Sequence, residues 1–301
     1  GILKKIRCLS SSGRAKERQK AIIVAELRHT FPLRILLRIS QLPRSTFYYH
    51  LKASCTDKHH VDKQAIMEVF ARNENRYGYR RITLELHKNG IIINHKTVLK
   101  LMKSLSIRGK QCKNGQYHSY KGEVGKVAKN ILNRDFTASK PFEKLTTDVT
   151  QFKVCNDKVY LSPVMDLYNR EIVAYSISLS PDLAQIREML QGLTEKLPEG
   201  ATPIFHSDQG WQYQHAEYQM YLKEHNIIQS MSRKGNCMDN GAMENFFGRL
   251  KVEMFYGEKF ETVEEFVHRL KEYIDYWNNE RISLKLKGMS PVQYRTHFHT
   301  F

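Results

Sequence analysis

Apolar positions along these 301 residues recur with two different periods, and the switch between them divides the chain. Up to about residue 107 the spacing is helical. Arg14–His29 begins polar, carries Ile22, Ile23, Ala25 and Leu27, and closes before Pro32, which predicts a helix. Leu33–Ile39 is apolar at Leu33, Ile35, Leu36, Leu37 and Ile39. Gln41-Leu42-Pro43 interrupts it, and Arg44-Ser45-Thr46-Phe47-Tyr48-Tyr49-His50 opens the next helix with donors on its exposed side. Two short helices around a tight break have helix-turn-helix spacing, with polar side chains where a groove-reading helix makes base contacts. A plain helical hairpin has the same pattern.

A second helical group follows the polar stretch Ala53–His60. Asp62–Arg72 is helical through Ile66, Val69 and Phe70; Arg81–Lys88 is short and ends at Asn89-Gly90; Asn94 caps His95–Leu105. That last helix sets Val98, Leu101, Met102 and Leu105 on one face and Lys96, Lys100 and Lys103 on another. Between the first two lies Tyr77-Gly78-Tyr79-Arg80-Arg81, where paired arginines suit phosphate clamping and the tyrosines suit simple packing. Residues 108–140 have many lysines and glycines and no period, as a linker does. Gly122-Glu123-Val124-Gly125-Lys126 lacks both the spacing and the preceding strand of a phosphate loop.

From Pro141 the period shortens. Lys144–Phe152, Lys158–Met165 and Glu171–Leu179 read as three strands of a meander, separated at Asn156-Asp157 and Asn169-Arg170. Helix and strand then alternate: helix Leu183–Leu197, strand Pro203–His206, helix His215–Glu224, strand Ile227–Met231, helix Asn240–Met254. This order predicts an α/β, RNase H-like core, a mixed five-stranded sheet with flanking helices, preceded by all-α helix-turn-helix regions. A closing helix over Val263–Asn279 carries Phe266, Leu270, Ile274 and Trp277 towards the sheet, and Ser290-Pro291 starts a last short one. The pattern therefore divides the chain into a helical, helix-turn-helix-like region at 1–56, a second helix-turn-helix domain at 57–107, a basic linker at 108–140 and the core with its C-terminal helices at 141–301.

Charge follows the same division. Residues 1–140 carry 30 Lys and Arg against 9 Asp and Glu, whereas residues 141–301 carry 18 against 22. A basic arm on a slightly acidic body predicts nucleic acid as partner, held in part by counterion release and weakened by salt. The basic residues are spread over several helices, which disfavours a membrane surface. No apolar run reaches the roughly 18 to 20 residues of a membrane span, and Gly1–Lys5 opens no signal peptide, so export is not expected. Five scattered cysteines without a C-x-x-C pair read as reduced thiols.

Three acids then matter. Asp148 is expected mid-sheet on the first strand, Asp208 at the exit of the fourth, and Glu244 on the helix packed against them. Phosphodiester chemistry with two metal ions needs carboxylates from separate elements, because Mg²⁺ takes hard oxygen ligands and keeps waters while paired ions stabilise the attacking and leaving oxygens. By spacing alone, Asp157 and Asp166 are equally placed.

The surrounding residues carry a resemblance. Thr146-Thr147-Asp148-Val149-Thr150, His206-Ser207-Asp208-Gln209-Gly210, and the block from Ser232 through Gly235-Asn236-Cys237-Met238-Asp239-Asn240 to Glu244-Asn245-Phe246-Phe247, with Leu250-Lys251, resemble the catalytic core of bacterial transposases of the insertion-sequence-three group, within the retroviral-integrase-like DDE superfamily. The 35 residues between Asp208 and Glu244, and the lysine seven positions further on, match that pattern. Tyr276–Arg281, Leu286–Pro291, Tyr77–Arg81 and Asn94–Lys96 extend the similarity over roughly residues 30 to 296.

The resemblance implies a DNA transposase that binds terminal inverted repeats, frees a 3′-hydroxyl and joins it to a second phosphodiester with no covalent enzyme intermediate. It implies Asp148, Asp208 and Glu244 as ligands of two Mg²⁺ ions, with Mn²⁺ able to substitute, and Lys251 on a phosphate near the cleaved bond. Arg44, Ser45, Thr46, Tyr48, Arg80, Arg81, His95, Lys96, Lys100 and Lys234 become candidate DNA contacts. His206 and Asn240 either orient DNA or ligands, or serve as a hydrogen-bonded strand-end histidine and a helix cap. Partners would be double-stranded transposon ends and target DNA, bound by at least a dimer in the bacterial cytoplasm, on the nucleoid. Gly241 stands where the group more often has Ala, which lowers local helix propensity by up to about 1 kcal/mol. The chain shows no leucine-zipper heptad; the group usually carries one upstream in a first reading frame, so a second-frame product or truncated fusion is expected. The rival classes are a non-catalytic repressor, a hydrolytic RNase H-like nuclease and a tyrosine recombinase.

Overall fold

Strand β1 (Lys144–Thr147) runs antiparallel to β3 (Asp157–Asp166) on one side and parallel to β5 (Ile204–Ser207) on the other. The computed structural model describes residues 14–55, 57–111, 128–233 and 240–298. Strand β2 (Thr150–Val154) continues along the same edge of β3, with Thr147 facing Val164 and Thr150 facing Leu161. The other edge of β3 takes β4 (Ile172–Ser178), and β6 (Ile228–Met231) closes the sheet beside β5. Six strand segments thus form five ranks, because β1 and β2 lie end to end. The single strand expected over Lys144–Phe152 is broken at Asp148-Val149, where the Val149 N–H donates to Asp148 Oδ1 at 2.8 Å. Asp148 therefore sits in a gap between strands and not mid-strand.

Burial along the strands reports what covers them. β2 alternates buried and exposed, as a half-covered strand does, whereas β3 is buried without interruption from Leu161 to Asp166. Helix coverage on one face comes from the segment Leu183–Thr194, capped by Asp182 Oδ1 accepting from the Gln185 N–H at 2.9 Å. Its Ile186, Met189, Leu190 and Leu193 join Leu145, Val164, Val173, Phe205 and Met231 in the core. The helix predicted over His215–Glu224 forms as Ala216–Glu224 with His215 extended at its cap, and a short unpredicted helix, Trp211–Gln214, precedes it.

The helix expected over Asn240–Met254 is α-helical only from Gly241 to Leu250; Lys251–Phe255 widens into a π-helical turn, closed by the Tyr256 N–H on the Lys251 carbonyl. Glu253 lies inside that turn, buried, with Arg281 bidentate on its carboxylate at 2.8 and 2.6 Å and the Tyr273 hydroxyl donating at 2.9 Å. The widened turn accompanies this buried pair. The closing helix runs over Val263–Asn279 as its pattern predicts, and Trp277 Nε1 donates to the Arg170 carbonyl at 2.9 Å, so Trp277 is a packing residue.

The chain divides into two compact units, Gly1–Glu68 and Val69–Phe301, and the boundary falls inside the helix His60–Arg72. In the first unit, helices Arg14–Leu27, Leu33–Ser40 and Arg44–Cys55 enclose Ala21, Val24, Leu36, Leu42 and Phe47. Gln41, with φ 52, makes the left-handed break between the second and third. In the second unit, Tyr79–Lys88 and His95–Ser104 belong to the same body as the sheet: the Ile282 N–H donates to the Tyr77 hydroxyl at 2.9 Å, and Lys110 Nζ reaches the Glu253 carbonyl at 3.1 Å. The stretch read as a linker is fixed at its described ends. A Cβ on Gly109 would lie 2.6 Å from the Tyr77 backbone, and the Ile131 and Leu132 N–H groups donate to Ser230 Oγ on the edge strand β6. Gly122–Lys126 lies outside the described residues.

Candidate active site

Lys144 faces Ile204, Leu145 faces Phe205 and Thr146 faces His206 across the parallel pair β1 and β5. Asp148 is the first residue beyond the carboxyl end of β1 and Asp208 the first beyond that of β5, near enough that the Asp208 charge acts on Asp148. Crevices at the carboxyl ends of neighbouring parallel strands are where open α/β sheets bind ligands. Asp208 is steadied by the Gly210 N–H on its Oδ1 at 2.9 Å, and a Cβ at position 210 would crowd Gln212 Oε1 and Asp208 Oδ1 at 2.9 and 3.0 Å. Glu244 enters from the first turn of the helix Gly241–Leu250.

That helix is tied to β1 by a residue just before it. Asn240 is buried, accepts from the Thr146 hydroxyl at 2.6 Å and donates to the Thr147 carbonyl at 3.1 Å. It stands at the cap position without making a side-chain cap bond; its bonds go across to the strand that ends at Asp148. His206 is fully buried within β5, not at its end, with Nδ1 2.9 Å from Ser230 Oγ. Ser230 also accepts the two backbone bonds from residues 131 and 132, so His206 braces the edge of the sheet.

All three acids are half-buried, and all three carboxyls titrate above their usual range. Asp148 is pushed furthest, by burial first and then by the negative charges of Asp208 and Glu244, with Lys251 opposing. Burial raises Asp208 and Glu244 as well. Lys251 is pulled down by burial and held up by Asp148, and its ammonium sits 5.5 Å from the centre of the Phe152 ring. Sequence reasoning missed Tyr213, a buried phenol pushed well up by burial and by Asp208 and Asp148. Its only signal was its place one short turn after Asp208-Gln209-Gly210.

Among the described residues no three His, Cys, Asp or Glu side chains already form a closed metal cluster. The fit to a divalent cation rests on the donors themselves: three hard carboxylates whose mutual repulsion a cation would relieve. The decoys separate by position. Asp166 faces Leu145 at the opposite end of β1, accepts from the Phe142 and Tyr168 N–H groups at 2.8 Å each, and holds a turn. Asp157 is exposed in the β2–β3 hairpin.

Residues 138–237 and 244–298 each match a family described as integrase core domain, and residues 57–114 match one described as HTH-like domain. Over 274 residues the chain is 52% identical to the putative transposase InsK for insertion sequence element IS150 of Escherichia coli, covering 91% of this chain and 96% of that protein. It is 31% identical over 282 residues to the transposase InsF for insertion sequence IS3A of Escherichia coli, covering 91% and 98%. The chain belongs to the insertion-sequence-three group of DDE transposases. Its activity is that of a polynucleotidyl transferase in DNA transposition. Among solved structures it is similar to a chain of the simian T-cell lymphotropic virus intasome in complex with PP2A regulatory subunit B56 gamma, at 15% identity and TM-score 0.44 over 78% of this chain and 74% of that one. It is also similar to the HTLV-2 integrase catalytic core domain in complex with magnesium, at 16% identity and TM-score 0.37 over 52% and 97%.

The transposase carries its candidate DNA contacts in two places. On the helix Arg44–Cys55, Arg44 and Ser45 are exposed, Thr46 is half-buried, and the Arg44 guanidinium lies 5.8 Å from the centre of the exposed Tyr48 ring. In the other unit, Arg80 donates to the Tyr79 hydroxyl at 3.1 Å, Tyr79 stacks with His95 at 6.1 Å, and Lys96 and Lys100 are exposed on the same helix as His95. Arg81 departs from its expected role as a phosphate clamp. Its guanidinium turns inward over the Tyr77 ring and lies 3.8 Å from Glu253, where it meets an aromatic face and a buried carboxylate. Lys234 lies outside the described residues. No described helix of the transposase is long and apolar enough to cross a membrane.

Proposed function

We propose that Asp148, Asp208 and Glu244 are the catalytic and metal-ligating residues of this transposase and that Lys251 holds a phosphate oxygen beside the bond being broken. The observation that carries this reading is the register of β1 and β5, which supports side-by-side carboxylates that a helix-borne glutamate and lysine then face. Two Mg²⁺ ions, replaceable by Mn²⁺, would supply Lewis-acid activation of the attacking oxygen and stabilisation of the leaving one. Asp148 and Asp208 hold their carboxylates in fixed geometry through the Val149 and Gly210 N–H groups. Asn240 holds the start of the glutamate helix against β1.

In the joining step a 3′-hydroxyl oxygen forms a new bond to phosphorus as the bond from phosphorus to the leaving 3′-oxygen breaks. The hydroxyl proton passes to solvent, the leaving 3′-oxygen takes one up to become a hydroxyl, and the number of phosphodiesters is unchanged. Arg44, Ser45, Thr46 and Tyr48 in one unit, and Arg80, His95, Lys96 and Lys100 in the other, would contact double-stranded transposon ends and target DNA. Lys234 belongs to the same proposal on sequence grounds. The chain works in four parts divided at residues 56, 107 and 140, with recognition in the first two and chemistry in the last. Two ends must be held together, so the working form is at least a dimer, acting on the nucleoid in a bacterial cytoplasm.

A strand-transfer assay with a pre-cut transposon end tests this reading. Joined products that require a divalent metal, vanish with Glu244→Gln and leave no protein–DNA adduct are expected. Hydrolysis without joining would assign a nuclease, and joining that survives metal chelation would overturn the metal site.

A further inference from the structure

The helix that carries Glu244 borders a second space, on the side lined by Asn245 and Arg249. There, Arg81, Arg170, Arg249, Arg281, Lys285 and Trp277 are among the residues that line a cavity of about 410 Å³, and among the described residues no Asp or Glu lines it. Two of those cations are already answered from outside the cavity, Arg281 by its bidentate bonds to Glu253 and Arg81 by the same carboxylate at 3.8 Å. Arg170 is different: its Nη1 is buried and has no hydrogen-bond partner among the described residues. Its backbone is fixed, since Trp277 donates to its carbonyl and its own N–H donates to the Asp166 carbonyl, and the charge of Asp166 favours its ionised form. A buried guanidinium nitrogen left without an acceptor is costly, and the group that best supplies one to a planar fork is a carboxylate or a phosphate.

We propose that this cavity holds a phosphate of bound DNA, gripped by Arg170, Arg249 and Lys285 and walled by Trp277. Its volume lies within the roughly 300 to 1,000 Å³ of small-ligand sites and exceeds what a bare phosphate fills, which suits one nucleotide of a strand. Asn245 adjoins Glu244 in sequence, so the cavity lies within about one helix diameter, roughly 10 Å, of the candidate site. A phosphate close to the scissile one along the same strand would therefore be held by arginines while the reacting one lies among the acids. The site adds a strand-positioning contact to those on the helix-turn-helix regions.

The test uses the full chain, a labelled DNA duplex and a salt titration. Arg170→Gln, Arg249→Gln and Lys285→Gln are each expected to weaken duplex binding by about tenfold and to reduce the slope of log affinity against log salt by about one, with Lys271→Gln on the closing helix as an unaffected control. Thermal melting accompanies each variant; Lys285 is exposed and its replacement keeps the test open if Arg170→Gln does not fold. Wild-type affinity and slope in the folded variants would overturn the proposal. So would binding of inorganic phosphate or a free deoxynucleoside monophosphate that depends on Arg170 while duplex binding does not, since the cavity would then serve a free anion. The inference rests on DNA as the substrate: a wild-type chain that binds no duplex sinks that reading as well, whereas duplex binding indifferent to these residues sinks the cavity alone.

Discussion

Asp148 and Asp166 stand at opposite ends of β1 and differ in what answers their charge. Both carboxyls are pushed up, and burial is the first cause in each. Around Asp166 the protein supplies two backbone N–H groups, and the like charge of Glu171, itself paired with Arg295, is opposed by that arginine. Around Asp148 it supplies one backbone N–H group and two further acids, with Lys251 the opposing cation. Burial alone therefore does not mark a functional carboxylate. Asp148 differs in facing two acids, Asp208 and Glu244, with Lys251 opposing, whereas the one acid beside Asp166, Glu171, is itself paired with Arg295.

The comparison breaks first under charge-neutral replacement. Asp148→Asn is expected to reduce strand joining at least about a thousandfold while leaving the melting temperature at or above that of wild type, because it removes a ligand and a repulsion together. Asp166→Asn should leave joining near wild type. If the two variants lose activity equally, the distinction between the ends of β1 is wrong. Lys251→Ala is the next largest effect, about a hundredfold in joining rate, with duplex affinity changed far less. A loss confined to affinity would make Lys251 an ordinary backbone contact.

Asn240→Ala sharpens the comparison from the supporting side. It removes both bonds to Thr146 and Thr147, and about a tenfold loss is expected, recovered in part by raising the Mg²⁺ concentration, as for residues that orient ligands. A drop in melting temperature with unchanged metal dependence would instead make it a simple structural strap.

The smallest effect concerns pH and stability at the other end. The Asp166 carboxyl titrates at about 6 in the folded chain against 3.8 ordinarily, so the folded state binds its proton more tightly than the unfolded state. That contribution is complete below the ordinary value and is lost as pH rises through about 6, an amount of roughly 3 kcal/mol at most. Urea midpoints across this range should show Asp166→Asn gaining on wild type as pH rises. A constant difference between the two would mean that Asp166 is not titrating there.

Much of this arrangement was legible before any coordinates. The closing helix was legible, since Phe266, Leu270, Ile274 and Trp277 repeat with one period; the Thr262 hydroxyl, accepting from the Glu265 N–H, is the cap the pattern left unread. The break at Asp148-Val149 was not, because both residues continue the alternation of a strand and only the partner strands reveal that the ladder stops. The π-helical turn was equally hidden: Leu250 and Met254 remain on the buried side whether or not the turn widens. The adjoining arginines at 80 and 81 read alike in sequence, yet one is exposed and the other is drawn to Glu253 by a carboxylate far along the chain. By spacing alone Asp166 could not be set apart from Asp148; the resemblance singled out Asp148, and strand register places the two at opposite ends of β1.

The parallel pairing of β1 with β5 has a consequence for the life of the chain before it is complete. Three strands and a helix separate these partners, so the two aspartates meet only after a long crossover has closed, and the glutamate arrives later still. A nascent or truncated polypeptide can carry Asp148 at the surface of a half-built sheet with nothing opposite it. On the proposed site, cutting DNA would have to wait until synthesis has passed Glu244, a delay set by strand order rather than by any inhibitor.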